Sequence, residues 1–83
     1  SGSPDKQSIF VSIGRSKRVR SRDLITFFTS ADGISQDDIG QVKVLDNYSF
    51  VEVSKDKAKD VIDELNGQEL RGRKLTVNFA RKK

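Results

Sequence analysis

Residues 48–53 read Tyr48-Ser49-Phe50-Val51-Glu52-Val53, and residues 9–13 read Ile9-Phe10-Val11-Ser12-Ile13. Successive side chains of a strand point to opposite faces. Ile9, Val11 and Ile13 therefore share one face with Ser49, Val51 and Val53, while Phe10, Tyr48, Phe50 and Glu52 occupy the other. A buried face would exclude Glu52, and a merely solvated face has no need of three rings. A platform that stacks unpaired bases needs both rings and access to water.

Outward from these two runs, the chain alternates strand and helix signals. A first strand over about 8–13 ends at Gly14. After a basic loop, Ser21 is the expected N-cap of a helix that places Asp23 in its first turn, where a carboxylate suits the helix dipole. Leu24, Phe27, Phe28 and Ala31 recur at the three- and four-residue spacing of an apolar stripe, and Asp32-Gly33 stops the helix. Ser35 begins a single turn through Asp38. A second strand over about 41–45 buries Val42 and Val44 and exposes Gln41, Lys43 and Leu45, and the short turn Asp46-Asn47 makes it an antiparallel neighbour of the third strand. Ser54 opens a helix whose Ala58, Val61, Ile62 and Leu65 form one apolar face, closed by Asn66-Gly67. A last strand over about 73–79 assigns Leu75, Val77 and Phe79 to the core and Lys74, Thr76 and Asn78 to the open side. The order βαββαβ predicts an α+β ferredoxin-like fold, a four-stranded antiparallel sheet with two helices on one face. In that fold the first and third strands are central, which brings Phe10 beside Tyr48 and Phe50.

The chain has 83 residues, 34% of them hydrophobic, which suits one modest core and not an enzyme with a large enclosed active site. With no Cys and no His, disulfides and the usual zinc ligands are excluded, and no metal or cofactor is expected. There is no apolar run of membrane-spanning length and no signal-peptide pattern, so a soluble, cytoplasmic monomer is expected. Residues 1–7, opening with the tag-like Ser1-Gly2-Ser3, are expected to be a disordered tag or linker, residues 8–80 the domain, and residues 81–83 a basic tail. The net charge of +4 hides a segregation. Arg15, Lys17, Arg18, Arg20 and Arg22 form one basic segment, and Arg71, Arg73, Lys74, Arg81, Lys82 and Lys83 a second. Those eleven leave only five basic residues to face all twelve acids. Such segregation indicates a surface for a polyanion.

Residues 9–14, Ile9-Phe10-Val11-Ser12-Ile13-Gly14, and residues 46–53, Asp46-Asn47-Tyr48-Ser49-Phe50-Val51-Glu52-Val53, resemble the two short motifs of an RNA recognition motif. Asp46 and Asn47 stand where the second motif normally opens with a basic residue and Gly, while the aromatics at its third and fifth positions are retained. A more specific resemblance covers residues 8–80, to the C-terminal RNA-binding domain of DbpA/YxiN-type bacterial DEAD-box RNA helicases. It rests on residues 10–14 with the basic loop after them, on Gly33-Ile34-Ser35-Gln36-Asp37-Asp38-Ile39-Gly40, on residues 46–53, and on Leu70-Arg71-Gly72-Arg73-Lys74-Leu75-Thr76-Val77. The resemblance implies a non-catalytic module that anchors a helicase core in the same parent protein to structured RNA. In that family's best-known members the RNA is a hairpin of large-subunit ribosomal RNA, a role in ribosome biogenesis.

The candidate RNA-binding residues are Phe10, Tyr48 and Phe50 as stacking rings and Arg15, Lys17, Arg18 and Arg20 as phosphate contacts. Lys43, Lys74 and Asn78 join them on the open face, and Arg81 in the tail adds sequence-independent attraction. The competing reading is a protein-interaction domain that holds a partner on the three rings. Segregated positive charge opposes it, since interface cores are depleted in Lys. No catalytic constellation is present: Ser16 has no neighbouring base, Asp37-Asp38 and Asp63-Glu64 read as helix surface, and no Gly-rich phosphate loop with Lys-Ser/Thr exists for ATP.

Overall fold

The computed structural model describes residues 5–80. Strand β1 (Lys6–Val11) leads through a 3₁₀ turn at Arg15–Lys17 to helix α1 (Ser21–Thr29), and a second 3₁₀ turn at Gln36–Asp38 leads into β2 (Ile39–Val44). Next come β3 (Ser49–Ser54), a 3₁₀ turn at Lys55–Lys57, helix α2 (Ala58–Leu65), the short strands β4 (Glu69–Leu70) and β5 (Arg73–Lys74), and β6 (Val77–Phe79). The main sheet is antiparallel in the order β2-β3-β1-β6, so β1 and β3 are central as the sequence predicts.

The strand parity holds. Ile9, Val11, Val51 and Val53 are fully buried and pack with Leu24, Phe27 and Phe28 of α1 and Ala58, Val61, Ile62 and Leu65 of α2 in one core. Each large apolar side chain buried completely contributes about 1.5–3 kcal/mol. Ser49 is the buried polar residue, and its hydroxyl donates to the Ile13 carbonyl at 2.7 Å, so its burial leaves nothing unsatisfied.

Several boundaries differ from the sequence expectation. β1 starts at Lys6, because Lys6 and Gln7 still pair with Ser54 and Val53. Arg20, not Ser21, is the N-cap of α1, and its amide is taken by the Asp23 carboxylate at 2.8 Å. α2 begins at Ala58 rather than Ser54, which still belongs to β3. β2 starts at Ile39 and carries an irregularity between Ile39 and Val42, where Glu52 Oε1 accepts from the Gln41 amide at 3.0 Å.

The last strand is broken in two. Leu75 exchanges bonds with the turn that follows α2, its amide donating to Gln68 O at 2.8 Å and its carbonyl accepting from Gly67 N at 2.9 Å. At Thr76 the chain changes partner, pairing with Ser12, and only Val77–Phe79 joins the main sheet. Lys74 therefore lies in a separate hairpin with β4 and not on the open face of the main sheet. The hairpin turn is Arg71-Gly72 with φ of 56° and 74°, left-handed at both central positions as a type I′ turn requires. Phe79 pairs with Ile9 in the register, yet β6 is the sheet edge, and the ring is 44% exposed and borders the depression beside Phe10, Tyr48 and Phe50 instead of joining the core. Residues 1–4 and the tail that contains Arg81 lie outside the described residues.

Candidate nucleic-acid interface

The register places Lys43 opposite Phe50, Phe50 opposite Phe10, and Phe10 opposite Asn78. One row across all four strands thus reads Lys43, Phe50, Phe10, Asn78, two central rings flanked by a cation and an amide. Tyr48 stands beside this row. Its ring centroid lies 5.8 Å from Phe10 and 5.7 Å from Phe50, and Phe10 and Phe50 are 6.1 Å apart. Tilted and edge-to-face arrangements at these separations contribute about 0.5–1.5 kcal/mol per pair beyond area burial. The rings hold one another in place while Tyr48 stays 42% exposed.

Two shallow depressions share Phe50 as their dividing wall. One, of about 460 Å³, is lined by Phe10, Tyr48, Phe50, Thr76, Asn78 and Phe79. The other is lined by Ser8, Gln41, Lys43, Phe50 and Glu52, so it is polar where the first is apolar. Thr76 and Phe79 were not among the sequence candidates: both belong to the stretch whose strand assignment fails at Leu75.

The basic loop is built more firmly than its composition suggests. Val19 is buried and pins it to the core, and Arg18 closes the 3₁₀ turn in a left-handed conformation, its amide donating to Arg15 O at 2.9 Å. The loop also docks on the turn between β2 and β3: the Arg15 and Ser16 amides donate to Leu45 O and Asp46 O at 2.8 and 2.9 Å. Gly14 permits this approach. A Cβ there would collide with the Leu45 carbonyl and lie 2.8 Å from both Asp46 O and Tyr48 N. Asp46, in the place where the motif normally has a basic residue, pairs with Arg15 at 3.3 Å, both side chains largely exposed. A surface pair of that kind is worth only about 0–1 kcal/mol, so an arriving phosphate competes easily for the guanidinium. Lys17, Arg18 and Arg20 make no ion pair among the described residues.

Arg71 is a residue that sequence reasoning placed only within a basic segment. Its guanidinium donates to the Arg18 carbonyl and to Asp23 Oδ2, each at 3.3 Å, tying the hairpin to the basic loop across 53 residues of sequence and to α1 across 48. The Arg20 amide, with the Arg71 guanidinium adding to it against a desolvation that opposes both, holds the Asp23 carboxyl below its ordinary range. Asp38, read from sequence as helix surface, is a structural knot. It accepts from Ser35 N at 3.0 Å, Ser54 Oγ at 2.9 Å and Lys57 Nζ at 3.1 Å, and Lys57 also reaches Gly33 O at 3.0 Å. Among the described residues no group of His, Cys, Asp or Glu has the arrangement of a metal site, and no helix is long and apolar enough to cross a membrane.

Fold and face together define an RNA recognition motif. The crystal structure of RNA binding protein PG1 superposes with a TM-score of 0.75 at 27% identity, covering 93% of this chain and 96% of that one. The first two RRM domains of the yeast poly(U) binding protein Pub1 give 0.74 at 27% identity, over 99% of this chain and 52% of that one. Within this class the chain belongs to the DbpA RNA-binding domain family, whose model matches residues 8–79. It is 32% identical over 78 residues to the ATP-dependent RNA helicase DbpA of Bacillus subtilis, and 40% identical over 78 residues to an uncharacterized protein of Treponema pallidum. Each alignment covers 94% of this chain, which spans 16% of the helicase and 34% of the Treponema protein.

Proposed function

We propose that this chain is the RNA-anchoring module of a DEAD-box RNA helicase. It holds structured RNA, with large-subunit ribosomal RNA as the target, near a helicase core carried elsewhere in the parent protein. Tethering raises the effective concentration of the adjacent duplex at that core without any chemistry in the module itself. The observation that carries this reading is the cross-strand row of Lys43, Phe50, Phe10 and Asn78, with Tyr48 beside it and the basic loop docked on the β2–β3 turn next to Tyr48. Unpaired bases stack on the rings, Lys43 and Asn78 meet phosphates or base edges, and Arg15, Lys17, Arg18 and Arg20 meet the backbone. The module acts as a monomer in the cytoplasm, in ribosome assembly, and Arg81 extends its attraction for RNA.

Alanine substitution of Phe10 and of Phe50, each measured for RNA affinity and for thermal unfolding, tests the reading. Each change is expected to weaken binding by about 1–3 kcal/mol, with a smaller loss of stability. Normal RNA affinity in both folded variants, together with lost binding to a helicase core or another protein, overturns RNA stacking in favour of a protein-docking face.

A further inference from the structure

On the polar side of Phe50 the open face carries a carboxylate, the least expected group on a surface offered to a polyanion. Glu52 lies two residues beyond Phe50 in β3 and so on the same face, opposite Ser8 of β1. With Gln41, Lys43 and the Phe50 ring, these two line a depression of about 360 Å³. A carboxylate repels phosphate at close range, so the depression suits a neutral group with hydrogen-bond donors to offer.

The carboxylate is fixed in place. Its Oε1 accepts from the Gln41 amide at 3.0 Å, at the irregularity of β2. Gly40 makes room for it: a Cβ there would lie 2.8 Å from Oε1 and 3.1 Å from the Glu52 Cβ. The bond to Gln41 occupies one of about four lone-pair positions that a carboxylate offers, and Oε2 has no hydrogen-bond partner among the described residues. Neither Lys43 nor Lys6, whose Cε lies 3.5 Å from the same Cβ position, forms an ion pair with it. A base resting against Phe50 thus meets acceptors at Glu52 and a separate donor at Lys43. Guanine alone among the four bases answers both, since its N1–H and N2 amino group are adjacent donors and O6 beside them is an acceptor. Adenine and cytosine carry a single amino group beside an acceptor nitrogen, and uracil a single N–H between two carbonyls. Unstacked bases in RNA are read on these edges.

We propose that Glu52 and Lys43 make this polar depression a guanine-selective site. Glu52 accepts from N1–H and the N2 amino group, and Lys43 donates to O6, of a base stacked on Phe50. This rests on the RNA-binding reading above and adds to it the identity of one base. Gln41 and Gly40 position the carboxylate, the first by its amide and the second by the side chain it lacks.

The test titrates the chain with short oligouridines that carry guanosine, adenosine, cytidine or inosine at one central position, with the all-uridine strand as reference. Inosine keeps N1–H and O6 but lacks the N2 amino group. The guanosine strand is expected to bind roughly tenfold more tightly than the adenosine, cytidine and uridine strands, and inosine to recover only part of that gain. Glu52→Gln keeps a carbonyl oxygen for the Gln41 amide and replaces the other acceptor by an NH2 donor. It is expected to bring the guanosine strand down to the level of the rest, with circular dichroism and the unfolding midpoint showing the fold intact. Lys43→Gln should lose part of the same preference. Equal binding of all strands by wild type, tighter binding of another base, or a guanosine preference that survives in folded Glu52→Gln overturns the guanine site and leaves the RNA-binding reading standing. If Glu52→Gln fails to fold, the wild-type comparison of guanosine with inosine decides, and equal affinities overturn the site. Wild type that binds none of the strands overturns it together with the base stacking on which the proposed function rests.

Discussion

At the scale of single residues, Asp38 shows how a surface-looking acid becomes structural. The amide of Ser35, then the Lys57 ammonium and the Ser54 hydroxyl, bring its carboxyl from the ordinary 3.8 down to about 2. A carboxyl depressed in the folded state stabilises it above the unfolded pKa and loses that contribution as pH falls through the folded value. The Asp38 contribution is therefore complete above about pH 4 and lost between there and about 2. Asp38→Asn should be less stable than wild type at neutral pH, with the difference closing as the pH approaches 2. Urea-unfolding midpoints of both proteins across this range check it, and a gap that stays constant with pH would show that the carboxylate charge is not what stabilises the knot.

The basic loop makes its prediction at the scale of the element. Val19 and the bonds from the Arg15 and Ser16 amides fix its backbone, so charge can be removed from Lys17, Arg18 and Arg20 without dismantling the turn. Changing these three to Gln should leave the fold intact, as read by circular dichroism, and lower the salt slope of single-stranded RNA binding by about 0.7 per contact, roughly 2 in all. An unchanged slope would remove the loop from the interface. The alternation in β1 and β3 was legible in the sequence because period-two patterning is local, and three rings beside Glu52 identified the open face before any pairing was known. The break at Leu75 was not legible. Its cause is a change of hydrogen-bond partner from Gly67 and Gln68 to Ser12, which no alternation within residues 73–79 can register. For the same reason Lys74 was assigned to the wrong surface, while Lys43 and Asn78 fell into one row with the rings. The Arg71 bridge to Asp23 and Arg18 was equally hidden, since basic composition says nothing about which cations the fold will employ internally.

At the scale of the whole molecule, charge and aromatics are arranged so that no single feature recognises a nucleic acid alone. A cationic surface by itself binds RNA and DNA of any shape, with affinity set by phosphate number and salt. On the proposed reading the rings of Phe10, Tyr48 and Phe50 take bases released from a stack, which loops, bulges and ends supply and a perfect duplex does not. The basic loop is docked on the β2–β3 turn next to Tyr48, which fixes cations and rings relative to one another. The isolated chain should therefore bind a hairpin or junction RNA without ATP, more tightly than an unstructured RNA of equal length and more tightly than the same hairpin made of DNA. The preference should persist at physiological salt, because stacking and 2′-hydroxyl contacts are screened far less than phosphate contacts. Competition titrations with the three ligands at low and physiological salt measure it. Equal affinities at physiological salt would mean that the rings add nothing to recognition and that the chain holds nucleic acid by charge alone.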